Sequence, residues 1–194
     1  MPPRLRVATA AALSLGLGLV ALQAMPSNAA PAPATAGATT QRAPEMAQLD
    51  FMIGRWSCVN TVSVPGQEPT SNTLITTIRP ILDGAYIEWD SVQQVRPGAT
   101  IQLKARWVAG WHAPTAQFTA FYYDNRGNHG EESSPGTQGG HIAFTGSILT
   151  GSATPSTIRD DFTSAGRDDF VDSSSVQVGG TWVSAASSHC KRLR

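Results

Sequence analysis

From residue 53 to the C-terminus, apolar and polar side chains alternate with a period of two. Over 101–111, Ile101, Leu103, Ala105, Trp107 and Trp111 fall on one face, and Gln102, Lys104 and Arg106 on the other. Ile87 and Trp89 oppose Glu88 and Asp90, and Ile142, Phe144 and Ile148 fall together. Such alternation marks antiparallel strands with one buried and one wet face. No stretch of about a dozen residues keeps apolar side chains at helical spacing, so helix content should be low. A short helical turn is expected at 43–51, just before the first strand.

The pattern predicts strands at 53–64, 72–79, 85–95, 101–111, 116–123, 128–133, 140–149, 156–163, 168–177 and 180–191. Turn chemistry separates them: Pro65-Gly66, Leu82-Asp83-Gly84, Arg96-Pro97-Gly98, Asp124 to Asn128, and Gly179-Gly180. Short strands at regular spacing with no intervening helices predict an all-β antiparallel sandwich or barrel. Arg159-Asp160-Asp161-Phe162 recurs as Arg167-Asp168-Asp169-Phe170. That echo predicts a hairpin whose arms set opposite charges across from each other.

The strand pattern stops short of the N-terminus. Arg4 and Arg6 precede an uncharged run from Val7 to Leu22, and Ser27-Asn28-Ala29 fits a small-x-small cleavage site. Residues 1–29 are therefore expected to be a secretory signal peptide, too short in its apolar run to span a bilayer. Residues 30–48, rich in Ala and Pro, read as a disordered spacer. The folded domain is then 49–194, in a chain that is secreted or held in the periplasm or cell envelope.

Charge narrows the partners. The chain has 14 basic and 14 acidic residues, and losing Arg4 and Arg6 leaves 12 against 14, near −2. Nucleic acid is not an expected partner, no membrane span is expected after signal cleavage, and the oligomeric state is left open. The chain has two cysteines, Cys58 in the first strand and Cys190 in the last. An exported chain favours a disulfide between them, which would fasten a sheet closed on itself. Two free thiols are the alternative.

Leu49-Asp50-Phe51-Met52-Ile53-Gly54-Arg55-Trp56 is followed by Leu82-Asp83-Gly84-Ala85-Tyr86-Ile87-Glu88, by Gly110-Trp111 with Phe118, and by Tyr122-Tyr123-Asp124 before Gly127. On these residues the chain resembles a group of uncharacterised bacterial lipocalin-like (calycin) proteins over roughly 49–192. The resemblance implies an antiparallel barrel of eight to ten strands with an internal cavity. In lipocalins the tryptophan of the opening Gly-x-Trp packs at the closed end against an arginine of the last strand. Here Gly54, Trp56 and Arg192 would take those barrel-closing places. The nitrobindin branch of this group, which also opens on Gly-x-Trp, is implied to bind haem through a histidine near the C-terminus. His189 stands at about that place, but strand parity turns it away from Trp56, Cys58 and Cys190, and hence out of the lumen. No cofactor is therefore expected, with haem the alternative.

Candidate chemistry is sparse. His112, His129, His141 and His189 show no paired spacing, so no metal site is expected. His129 with Glu131 and Glu132 is the nearest thing to a cluster. Asp160, Asp161, Asp168, Asp169 and Asp172 could gather on one hairpin, but Arg159 and Arg167 lie beside them, and a solvated, salt-bridged ribbon is the expectation. No Gly-x-Ser-x-Gly elbow, phosphate loop or dinucleotide fingerprint occurs, and no catalytic residues are assigned. Trp89, Trp107, Trp111 and Tyr122 could wall a ligand site or simply fill a core. The function these observations favour is binding of a small hydrophobic molecule without catalysis. The alternatives are an enzyme on the same barrel, haem-dependent or using a buried carboxylate, and an envelope structural or interaction protein.

Overall fold

The alternating segments form strands that each hydrogen-bond to the next, as short turns between antiparallel arms require. The structure is a computed structural model and describes residues 42–64, 66–95, 102–151 and 154–194. Its strands are β1 (Gly54–Val62), β2 (Thr70–Ile81), β3 (Tyr86–Gln93), β4 (Lys104–His112), β5 (Gln117–Asp124) and β6 (His129–Ser134). They continue with β7 (Thr137–Gln138), β8 (His141–Leu149), β9 (Ser156–Ser164), β10 (Asp169–Val178) and β11 (Thr181–Arg192). β1 pairs with β11 and β6 pairs with β8, so ten strands close into an antiparallel barrel, with the two-residue β7 added beside β8. β7 is too short to show an alternation and was not expected. The signal peptide, most of the spacer, Pro65, the Arg96-Pro97-Gly98 turn and Ile101 lie outside the described residues.

The β1–β11 seam carries the closure. Trp56 stands opposite Arg192 and Cys58 opposite Cys190. The two cysteines are bridged, with their Cα atoms 3.9 Å apart, and both are fully buried. The Arg192 guanidinium lies 4.0 Å from the centroid of the Trp56 ring, and its Nη1 donates to the Ile53 carbonyl at 2.8 Å. A cation held over an indole is worth about 0.5–2 kcal/mol. Gly54 makes room for that guanidinium, because its φ is +146° and a Cβ there would lie 2.2 Å from Arg192 Nη1. At the β6–β8 seam Gly146 does the same for the backbone. A Cβ at Gly146 would fall 1.9 Å from the Glu131 carbonyl oxygen.

The barrel is packed solid at the Trp56 end. A 3₁₀ helix, Pro44–Met52, crosses that end and buries Met46, Leu49 and Met52. Trp56 Nε1 donates to the Met52 carbonyl at 2.7 Å, and Gln48 Oε1 accepts the Thr137 backbone N–H at 2.7 Å. Phe170 meets Trp56 edge-on at 4.7 Å, while Phe118 and Phe144 fill the adjoining space. The helix falls where a short helical turn is expected, at 43–51, although composition places 44–48 in the spacer. Those residues belong to the fold because Met46 and Leu49, three apart on one helical face, plug the barrel.

The Arg-Asp-Asp-Phe echo does not set charges across a hairpin. Asp160 faces Ser174, Asp161 faces Ser173, and Arg159 faces Ser175. The second copy begins in the turn, so the arms slip out of the expected register. Arg159 pairs instead with Asp161 of its own strand at 2.8 Å.

Gly54→Ala should lower the unfolding free energy by about 2–4 kcal/mol in urea titrations, through both the clash and the φ. Gly127→Ala, at φ +87° with open space around it, should lose only about 1 kcal/mol. Cys58→Ala/Cys190→Ala should lose about 2–5 kcal/mol. In the native protein neither thiol should alkylate without reductant.

Candidate functional site

Beyond the packed end the lumen is hollow. A cavity of about 450 Å³ lies there, with a lining that is mostly apolar. It runs toward the end of the barrel that carries Arg126, Asn128 and Thr150. Strand parity brings the aromatic floor together. Trp89 of β3, Trp107 of β4 and Phe162 of β9 all line the cavity. The Phe162 ring lies 5.8 Å from Trp89 and 5.3 Å from Trp107, and Phe144 meets Trp107 edge-on at 4.9 Å from below. The indole N–H groups are occupied. Trp89 Nε1 donates to Ser91 Oγ at 2.6 Å, and Ser91 in turn bonds Thr76 Oγ1 at 2.7 Å. Trp107 Nε1 donates to Glu132 Oε2 at 3.1 Å.

Besides Asp124, three more carboxyl groups line the cavity: Glu132 of β6, Asp160 of β9 and Asp172 of β10. Each has one buried oxygen with no hydrogen-bond partner: Glu132 Oε1, Asp160 Oδ1 and Asp172 Oδ1. Burial, with repulsion from Asp160 and Asp172, pushes Glu132 up to about 9, against the opposing bond from Trp107. Burial raises Asp160 as well, despite hydrogen bonds from Ser174 and Glu132. Asp172 lies well above the usual carboxylate range through burial and the nearby Asp160 and Asp161. Burial and the neighbouring acids thus favour the protonated form of Glu132 near neutral pH. At the rim, burial pushes the Tyr122 hydroxyl up, and it donates to Asp124 Oδ2 at 2.9 Å. Burial alone would raise Asp124, but bonds from the Asn128 side chain, the Arg126 backbone N–H and Tyr122 hold it below the usual range.

Of the four aromatic residues singled out in the sequence, Trp89, Trp107 and Tyr122 line the cavity, and Trp111 does not. Trp111 is four residues along β4 from Trp107, which carries it past the floor to the packed end, where it meets Phe118 edge-on at 5.0 Å. His189 lies on the outer face, its side chain 56% exposed and its Nε2 3.3 Å from Asp169 Oδ1. The described lining of the cavity includes no histidine, so the residues present do not offer a haem an axial histidine. His129 and Glu131 point outward while Glu132 points in, so that cluster is split by parity. The aspartates of 160–172 divide too. Asp161, Asp168 and Asp169 pair outside with Arg159, Arg192 and His189, while Asp160 and Asp172 turn inward. The solvated-ribbon expectation therefore fails for these two, because Ile158, Asp160 and Phe162 share the lumenal face of β9.

Residues 41–192 match the family described as a protein of unknown function, DUF1579. The chain belongs to the DUF1579 family. No curated protein matches it. The DUF1579 barrel is similar to a solved structure titled "Crystal Structure of Rv2717c from M. tuberculosis", with a TM-score of 0.60 at 14% identity. The match covers 79% of this chain and 100% of that one, and at that identity it speaks for the fold alone.

The buried carboxyls set a pH dependence of the DUF1579 barrel. A carboxyl raised in the folded state holds its proton there after the unfolded chain has lost it. The stability it gives is thus greatest below the ordinary carboxylate range and falls as pH rises toward the folded value, about 9 for Glu132. Thermal or urea unfolding should show stability declining between about pH 5 and about pH 9, by up to about 1.4 kcal/mol per unit for one fully raised group. Glu132→Gln should flatten that slope, and a profile that rises over this range would contradict the assignment.

Proposed function

We propose that this DUF1579 protein is an exported barrel that takes a small, largely apolar molecule into its lumen, without haem and without chemical conversion. The observation that carries the reading is the 450 Å³ cavity floored by Trp89, Trp107 and Phe162. Its size is within the range of small-molecule sites, which are concave, mostly apolar and furnished with a few polar groups. The solid packing below the floor supports the same reading, since it leaves one hollow end rather than a loosely filled core. Export is supported by the buried Cys58–Cys190 disulfide, a bond that persists in oxidising compartments. It is also supported by the basic, apolar and small-residue order of residues 1–29. Among the described residues no helix is long and apolar enough to cross a membrane.

Native mass spectrometry of protein purified from its own host should show a bound species of small-molecule mass. The neutral fluorophore N-phenyl-1-naphthylamine should bind and quench the lumenal tryptophans. Ala105→Phe, on the cavity side of β4, should weaken the fluorophore by about tenfold or more, as filling an apolar site with a bulky ring predicts. Absence of any bound species together with absence of fluorophore binding would contradict the reading.

A further inference from the structure

We propose that the molecule taken into the lumen carries a protonated amino group, seated among Glu132, Asp160 and Asp172. This rests on the apolar-ligand reading and names the ligand's chemical class. The three carboxyls come from three strands onto one stretch of the cavity wall. Each presents a buried oxygen that no protein group satisfies. Isolated buried charges and unsatisfied polar atoms are costly, and a fold has no use for three of them together. No basic side chain neutralises them among the described residues. Arg159 turns to Asp161 on the outside, and Arg106 reaches outward to Glu88 at 3.3 Å and Asp90 at 3.7 Å. Arg126 stands at the rim, in the turn after Asp124.

An ammonium group supplies what is missing. It offers three N–H donors and one positive charge, and it accepts nothing. The faces of Trp89 and Trp107 in the same floor attract a cation as well. The rest of such a molecule, apolar or aromatic, meets the apolar lining. A metal ion fits less well, since hard cations want six or more oxygens and zinc wants histidine or thiolate, whereas the described wall offers three carboxyls set in apolar surface.

Seating the ammonium should expel a carboxyl proton. The protonated acid and R–NH₃⁺ give a carboxylate–ammonium pair, and one proton goes to solvent. Tyr122, Asp124, Arg126 and Asp161 are the other titratable or charged groups around the three, and the first three are tied to one another at the rim. Affinity should therefore rise with pH until the amine itself begins to lose its proton.

The test is calorimetric titration of the full-length protein with tryptamine, 3-ethylindole and indole-3-propionate, which share a ring and differ in charge. Tryptamine should bind about tenfold or more tightly than 3-ethylindole, with indole-3-propionate weakest, in line with a charge-assisted hydrogen bond. Its affinity should rise about threefold or more between about pH 6 and about pH 8, with proton release seen as a buffer-dependent heat. Asp172→Asn and, separately, Glu132→Gln should bring the tryptamine to 3-ethylindole ratio below about threefold. Equal binding of tryptamine and 3-ethylindole by the wild type would overturn the ammonium assignment and leave the apolar-ligand reading standing. Failure of both to bind, with N-phenyl-1-naphthylamine also failing, would overturn the two together.

Discussion

The seam between the first and last strands is the constraint on which the rest of this barrel depends. An antiparallel meander of ten strands leaves two free edges unless its ends meet. Here they meet over one patch: Trp56 beneath Arg192, Cys58 bonded to Cys190, and Gly54 leaving space for the guanidinium. Each part needs the others. A side chain at Gly54 would displace Arg192, and without Arg192 the Trp56 face would open to solvent. The disulfide lies two residues further along both strands, on the same inner face, so it extends the register that the tryptophan begins.

Closing the barrel this way divides its interior. The 3₁₀ helix, Trp56 and the phenylalanines fill one end, and the aromatic floor of Trp89, Trp107 and Phe162 separates that plug from the hollow half. A well-packed end can hold the fold while the other end keeps groups that do not favour stability. Glu132, Asp160 and Asp172 are such groups, buried in an apolar wall with oxygens left unpaired. Under the proposed reading, these are groups whose cost to folding is offset by what the lumen binds.

Much of the architecture could be read from the period-two pattern, because most strands have one apolar face and are followed within a few residues by Gly, Pro or Asn. The positions of ten strands, the shared face of Trp56 and Cys58, and the outward turn of His189 all come from counting parity. Length limited the rest. β7 has two residues, too few to alternate, and the helical turn around Met46 is too short for its pattern to show which residues plug the barrel. At the site, Trp107 and Trp111 share a face but not a height, and parity cannot tell the floor of a lumen from the plug below it. The acidic residues from 160 to 172 form one cluster in sequence but two in the fold, because alternate positions on a strand face opposite sides. The spacing of Asp160 from Ile158 and Phe162 already placed it inside, and the same count places Asp172 beside Phe170 and Ser174.

The central claim is that a ligand enters above the aromatic floor and nowhere else. The chain has five tryptophans, each with one indole N–H. Two, Trp89 and Trp107, stand at the cavity. Trp56 and Trp111 lie at the packed end, and Trp182 is exposed on the outside. Adding a neutral apolar probe and following the indole signals by NMR tests the claim directly. The account predicts that the Trp89 and Trp107 signals shift together and saturate while the other three hold still. Shifts confined to Trp182, or spread evenly over all five, would contradict it.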